Sequence, residues 1–359
     1  MEYGSSLLVP SVQELVKEPL NTVPSRYIRS DQHEKTSNKI IINSVSEIPV
    51  IDFQNYLVSG ELSEPELASL HLACKDWGFF QLVNHGISTS LVEKMKREVE
   101  EFFILPMEEK KKFWQNKGEV EGFGQAFVIS EEQKLDWNDI FFLTTLPLDL
   151  RKPHLFPKLP FPFRDTLETY ALELENLAKS IISQMEKALE IEGKEMTRLF
   201  ENGMQAMRMN YYPPCPQPEQ VIGLTPHSDS VALTILLQIN EVEGLQIKKD
   251  GIWVPVKPLP NAFIVNIGDI LEMITNGVYR SIEHRATVDS VKERLSIATF
   301  YNPRVDAEIG PVNSLITERT PALYRTLEYQ EYVRGLFARK LDGKSYIDAM
   351  KLEPGGEDY

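Results

Sequence analysis

The chain has 359 residues, 42% hydrophobic and 25% charged, an ordinary globular balance with room for two domains or one large one. Its 53 acidic against 38 basic residues leave a net charge of −15. That argues against nucleic-acid binding, which needs a basic face to neutralise phosphates, and against adsorption to anionic lipid. Two cysteines, Cys74 and Cys215, are too few for a disulfide framework or a cysteine-rich zinc module. No apolar run approaches the roughly 18 residues of a membrane helix, and Met1 to Pro10 has no basic region ahead of an apolar core. The expectation is a cytoplasmic protein that meets a small molecule, acts as a monomer, and has neither nucleic acid nor membrane as a partner.

Residues 1–47 are polar and uneven, apart from a short amphipathic helix over Val12 to Val16. From Ile48 the texture changes. Ile48 to Ile51 reads as a strand, Glu64 to Lys75 as a helix, Gly78 to Val83 as a strand and Ser90 to Phe103 as a helix, all within a region that runs to residue 160. Lys110-Lys111-Lys112 reads as a solvated helix face. In 161–202 the apolar residues Leu167, Tyr170, Leu174, Leu177, Ile181, Met185 and Leu189 recur at steps of three and four. That is one long amphipathic helix, whose stripe should pack on a sheet.

After Gly203 the period switches to two. Strand-like runs cover Met207–Tyr212, Leu233–Gln238, Leu245–Lys248, Trp253–Val256, Ala262–Ile267, Ser281–Val288 and Leu295–Tyr301. Turn signals such as Gly268-Asp269 and Asn276-Gly277 separate them. Many short strands at close spacing imply a sandwich or barrel over 203–303. Residues 304–359 close the chain, with helical texture from Tyr329 to Met350. The fold class is mainly β with flanking helices.

Several lookalike motifs carry no chemistry. Gly343-Lys344-Ser345 resembles the end of a phosphate loop but lacks the earlier glycine and a preceding strand, and Gly122-Phe-Gly124 lacks the third glycine of a dinucleotide fingerprint. The informative cluster is His227-Ser228-Asp229. Residues i and i+2 of a strand share a face, so both side chains can reach one ion, and His284 could supply a third ligand. Two histidines and one carboxylate leave open positions on a metal, the arrangement of non-haem Fe(II) oxygenases. Arg294 and Ser296 share a face by the same spacing and make a carboxylate clamp. Ala298 and Phe300 extend that face, and Asn210 and Tyr212 share another.

Asn210-Tyr-Tyr212-Pro-Pro-Cys-Pro216, His227-Ser-Asp229, Asn266-Ile-Gly268-Asp269, Ser281-Ile-Glu-His284-Arg285 and Arg294-Leu-Ser296 together resemble the plant 2-oxoglutarate- and Fe(II)-dependent dioxygenases, as does Trp77 to Gly86. Val120 to Gln125 and Arg151 to Phe156 place the resemblance in the senescence-related-gene group, which includes the morphinan O-demethylases acting on thebaine and codeine. The resemblance implies a double-stranded β-helix (jelly roll, cupin-like) core over 203–303. It makes His227, Asp229 and His284 the iron ligands. Arg294 and Ser296 would hold the distal carboxylate of 2-oxoglutarate, with Tyr212 as a further donor and Asn210 near the keto-acid end. Fe(II), 2-oxoglutarate, O2 and ascorbate as reductant follow as cofactors and cosubstrates.

The expected reaction is hydroxylation or O-demethylation of a plant specialised metabolite, an alkaloid, flavonoid or phenylpropanoid, or terpenoid. The alternatives are an ascorbate-dependent oxidase of the ethylene-forming type and a non-catalytic binding module. His85 matches a position outside the metal shell and reads as structural. Phe127, Phe300 and Leu143 are expected pocket walls. Where many relatives carry a glycine after His-x-Asp, this chain has Ser230-Val231-Ala232-Leu233, which should narrow the substrate side.

Overall fold

The computed structural model describes residues 6–18, 20, 22–29, 47–116, 118–125, 128, 130–337 and 343–353. Its strands in chain order are β1 (Val50–Asp52), β2 (Phe79–Val83), β3 (Gly122–Gly124), β4 (Asp139–Leu146), β5 (Met204–Tyr212) and β6 (Leu224–His227). There follow β7 (Leu233–Gln238), β8 (Leu245–Lys249), β9 (Ile252–Pro255), β10 (Phe263–Ile267), β11 (His284–Ala286) and β12 (Arg294–Asn302). One large sheet has the order β1-β2-β10-β7-β12-β5-β4-β3, and a smaller one the order β6-β11-β8-β9. Apart from the parallel β1–β2 pair the ladders are antiparallel. Residues of both sheets line a common cavity. This is the jelly-roll arrangement that the resemblance implies, in agreement with the sandwich or barrel expected from the strand-rich middle of the chain.

Alternation decides which side chains enter that cavity. On β5 Met207 and Met209, on β7 Leu233, Ile235 and Leu237, on β10 Phe263, Val265 and Ile267, and on β12 Leu295, Ile297 and Tyr301 all join the main hydrophobic core. Their neighbours Arg208, Asn210, Tyr212, Thr234, Leu236, Asn266, Arg294, Ser296, Ala298 and Phe300 face the cavity. One parity therefore serves four adjacent strands, and a register slip of a single residue would send the charged set into the core.

The core face rests on the helix Phe161–Ala188, which opens with Pro162 in its first turn, where a missing N–H costs nothing. Its buried stripe Leu167, Tyr170, Leu174, Leu177, Ile181 and Met185 packs against β4, β7 and β12 and also against helices Glu64–Leu72 and Thr89–Ile104. Each such leucine contributes about 1.5–3 kcal/mol by leaving water.

Some elements differ from expectation. Strand β4 carries no hydrophobic alternation, because both its faces are covered, and it is not among the strands expected from the sequence. Gly268-Asp269 does not simply turn the chain but caps the short helix Asp269–Ile274. Ser281–Val288 forms a strand only over His284–Ala286. The C-terminal helical texture resolves into Tyr329–Phe337 and a single turn at Ser345–Asp348. Lys111 and Lys112 are solvated and pair with Glu108 and Glu109, but Lys110 is buried and its ammonium donates to the Phe103 carbonyl at 2.9 Å. Its stem covers apolar surface while its head finds an acceptor. Among the described residues no helix is long and apolar enough to cross a membrane.

Candidate metal centre and cosubstrate clamp

His227 ends β6 and lies directly opposite His284, the first residue of β11, so the ladder itself brings the two imidazoles together, ring centres 4.4 Å apart. Asp229 lies beyond the end of β6, so strand geometry does not account for its position. Backbone bonds from the start of the helix after β10 do. The N–H of Asp269 donates to the Asp229 carbonyl at 2.8 Å, and that of Gly268 donates to Ala232 at 2.8 Å. Gly268 leaves no room for a side chain, since a Cβ there would stand 2.1 Å from the Val231 carbonyl oxygen. Asp229 Oδ1 lies 3.4 Å from His227 Nε2 and 3.7 Å from His284 Nε2. All three residues are buried, with ligand atoms within 4.8 Å of one another.

The surroundings fix each ligand's orientation. His227 Nδ1 lies 2.8 Å from the Thr225 carbonyl and His284 Nδ1 lies 3.2 Å from the Ile282 carbonyl. With the proton on Nδ1, both Nε2 lone pairs face the centre. Asp229 Oδ2 accepts from Thr234 Oγ1 at 2.7 Å and Asn266 Nδ2 at 2.8 Å, leaving Oδ1 to the centre.

Burial pushes the His284 imidazole down to about 4, against the pull of Asp229. Burial also raises the Asp229 carboxyl, but His284, His227 and the Asn266 amide outweigh it and hold the group well below the usual carboxylate range. A neutral His284 imidazole beside an ionised Asp229 carboxylate is a protonation state that suits a divalent cation. His227 Nε2 is buried with no hydrogen-bond partner among the described residues, which fits a site built for an ion.

The clamp lies across β5 and β12, where Arg294 pairs in register with Tyr212 and Ser296 with Asn210. Asn210 Nδ2 donates to Ser296 Oγ at 3.3 Å. The guanidinium of Arg294 is 2% exposed, donates to Gln238 Oε1 at 3.0 Å and stands 5.2 Å from the Tyr212 ring centre. Among the described residues it has no carboxylate partner, and its Nε is without a hydrogen bond. A buried cation is costly unless an anion meets it, so this arrangement suits a carboxylate ligand.

Of the expected pocket walls, Phe300 lines the cavity. Leu143 does not. It is 1% exposed, paired with Met207 and part of the main core, while its neighbour Phe142 approaches Phe300 with ring centres 6.4 Å apart. Without β4 there was no parity to assign. Phe127 lies outside the described residues. None of Ser230, Val231, Ala232 and Leu233 lines the cavity, because this segment turns against Gly268 to Ile270, so the expected narrowing does not arise from it. His85 lies elsewhere, between the Asn261 carbonyl, the Ile87 N–H and the Phe263 ring.

The sequence reading missed Thr234, Gln238 and Arg208. Asn266 stood in a quoted motif without a role. Period two could have found Arg208, two residues before Asn210.

The family model of the 2OG-Fe(II) oxygenase superfamily matches residues 203–303, and that of the N-terminal region of non-haem dioxygenases in morphine synthesis matches 48–159. The chain is 62% identical to Protein SRG1 of Arabidopsis thaliana over 97% of this chain and 98% of that one. It is 57% identical to the oxoglutarate-dependent flavonoid 7-O-demethylase 1 of Ocimum basilicum, over 98% and 93%. To the thebaine 6-O-demethylase of Papaver somniferum it is 55% identical, over 98% of both. The solved structure of JOX2 with 2OG, Fe and JA aligns with a TM-score of 0.85 at 35% identity, over 96% of this chain and 98% of that one. These matches support a dioxygenase, not an ethylene-forming oxidase or a binding module. With the buried His-Asp-His centre and the buried arginine that lines the same cavity, they make the chain a member of the plant 2-oxoglutarate- and Fe(II)-dependent dioxygenase family, an enzyme that uses Fe(II), 2-oxoglutarate and O2.

Proposed function

We propose that this enzyme removes an O-methyl group from, or hydroxylates, a plant specialised metabolite with an aromatic skeleton such as a flavonoid or an alkaloid. The observation that carries this reading is the apolar part of the cavity that Asp229 and His284 also line. Phe79, Leu236, Leu245, Ala298 and Phe300 give an apolar, aromatic surface, and Arg208 is its one cation among the described lining residues besides Arg285 and Arg294. Such a wall suits a flat polycyclic molecule with a few oxygens better than a sugar. Relatives whose names state flavonoid and morphinan O-demethylation support the same class.

In this reading His227, Asp229 and His284 hold Fe(II), and Arg294 with Ser296 takes the distal carboxylate of 2-oxoglutarate. Tyr212 is a further donor and Asn210 stands near the keto-acid end. The bound metal, cosubstrate and O2 supply an oxidant for an unactivated C–H bond. Overall, a methyl ether, 2-oxoglutarate and O2 give a free hydroxyl, formaldehyde, succinate and CO2. The protein's own part is positional. Thr234 and Asn266 keep Asp229 turned to the centre, Gln238 holds the Arg294 fork, and the apolar wall excludes water while it aims the methoxy carbon. Two buried, unpaired cysteines support a reducing cytoplasm as its location, and we take the working unit to be a monomer.

The test is succinate release from labelled 2-oxoglutarate with Fe(II) and ascorbate across pooled plant metabolites, with formaldehyde read in the same wells and Asp229→Ala as control. Substrate-dependent succinate with formaldehyde is the expected result. Succinate without formaldehyde would replace demethylation by hydroxylation. No pool rising above the Asp229→Ala background would count against this substrate class.

A further inference from the structure

The backbone that carries His227 and Asp229 is held from a direction that the sheets do not supply. Strand β6 is the edge of the smaller sheet, paired only with β11 on one side. On its other side lies Gly343, which bridges His227 as a parallel partner and whose carbonyl accepts from the Ser228 N–H at 3.2 Å. Gly343 adopts a left-handed φ of +51°, with nothing within 4 Å of where a side chain would start, so its requirement is conformational.

The next residue, Lys344, fastens this segment. Its ammonium meets Glu272 Oε2 at 2.8 Å and the Ser281 carbonyl at 2.6 Å. Glu272 is buried on the helix Asp269–Ile274, where its Oε2 also accepts from the Ser281 N–H at 2.7 Å and its Oε1 from the Tyr324 hydroxyl at 2.7 Å. Ser281 leads directly into His284. One buried carboxylate thus ties the His284 segment to the segment that lies along His227 and Ser228.

We propose that Gly343-Lys344 is a strap that positions the His227-Ser228-Asp229 turn for metal binding, with the Lys344–Glu272 pair as its fastening. This rests on the reading of His227, Asp229 and His284 as the metal ligands. Lys344 is a positioning residue: it touches neither the ligands nor the cavity. The strap lies beyond residue 303, where the family model for the oxygenase core ends, so the metal centre depends on a stretch of chain outside that core. An edge strand that bears a ligand would otherwise sample open states, and each open state lowers metal affinity by its population.

The test is anaerobic titration of the metal-free, full-length protein with Co(II), followed by visible absorption, with the melting temperature of the metal-free protein measured beside it. Lys344→Met should raise the Co(II) Kd roughly tenfold or more, the usual range for groups that support metal ligands. Lys344→Arg should restore near-normal binding, and Lys351→Met, which removes an exposed pair with Asp348, should change nothing. Gly343→Val, which strains the strap without a clash, should weaken Co(II) in the same direction and serves if Lys344→Met does not fold. Normal Co(II) affinity in Lys344→Met, whatever its melting temperature, would overturn the strap, as would normal affinity in Gly343→Val where that variant has to serve. Wild-type protein that binds no Co(II), or Asp229→Ala that binds it normally, would instead overturn the ligand assignment and the strap with it.

Discussion

Arg294 and Tyr212 are register partners on adjacent antiparallel strands, and the guanidinium lies 5.2 Å from the centre of the phenol ring. The arginine is therefore fixed from one side by the ring and from another by Gln238. Its fork is set before any ligand arrives, which lowers the entropy cost of binding a planar carboxylate. Arg294→Lys keeps the charge and loses the fork. The Kd for 2-oxoglutarate is expected to rise roughly thirtyfold, the equivalent of about 2 kcal/mol for a lost charged hydrogen bond. Titration of the Co(II)-loaded protein with 2-oxoglutarate reads this directly, and an unchanged Kd would remove Arg294 from the clamp.

Thr234 and Asn266 supply both hydrogen bonds to the Asp229 oxygen that faces away from the centre. Thr234→Val keeps the shape and deletes one donor. Fe(II) affinity should fall roughly tenfold, seen as a shift of the titration midpoint of the Fe(II)–keto-acid absorption band. A melting temperature that falls with no shift in that midpoint would mean the threonine only packs.

Arg208 lies on the cavity face, 5.7 Å from the Phe300 ring centre, and its Nε has no hydrogen-bond partner among the described residues. A guanidinium there is available to an acceptor oxygen of the substrate. Arg208→Met should raise KM for an oxygenated aromatic substrate about tenfold while the KM for 2-oxoglutarate stays as it is. If both change together, Arg208 belongs to the cosubstrate instead.

Leu143 is buried in the main core and is not among the residues that line the cavity of the metal centre. Leu143→Ala should cost about 3 kcal/mol of stability in urea unfolding, with the substrate KM unaltered in the folded fraction. An altered KM at full stability would return Leu143 to the pocket.

Burial pushes the Asp269 carboxyl from its ordinary 3.8 up to about 7. Folding then favours the protonated form, so this contribution to stability is complete below the ordinary value and is lost as pH rises through about 7. Metal-free protein should lose stability between about pH 4 and about pH 7, and Asp269→Asn should flatten that decline. Equal slopes in the two proteins would show that another group governs it.

Much of the centre is legible in the sequence because alternation is a local rule. It puts Arg294 with Ser296 and Asn210 with Tyr212 on shared faces before any fold is known, and the resemblance supplies the pairing of those faces. Asp229 was grouped with His227 for the wrong local reason, since the strand stops at His227 and the backbone of Asp269 completes the placement. Thr234 and Gln238 give no local signal, because what makes them matter is a partner on another strand. The same holds for Lys344. Its tripeptide reads in the sequence only as an incomplete phosphate loop, and no spacing along the chain reveals that its ammonium meets Glu272. Leu143 shows the cost of missing an element: with no strand expected over 139–146, there is no parity to separate Leu143 from Phe142.

Strand β12 is buried at every position, with core on one side and the clamp on the other. It therefore has no neutral site where a substitution can be tried without consequence. For laboratory evolution this makes the strand a poor place to randomise, since most variants would be lost to misfolding before any were tested for a new substrate. Diversity is better spent on cavity-lining residues that are only partly buried, such as Arg208 and Leu236, where a changed side chain costs less of the core.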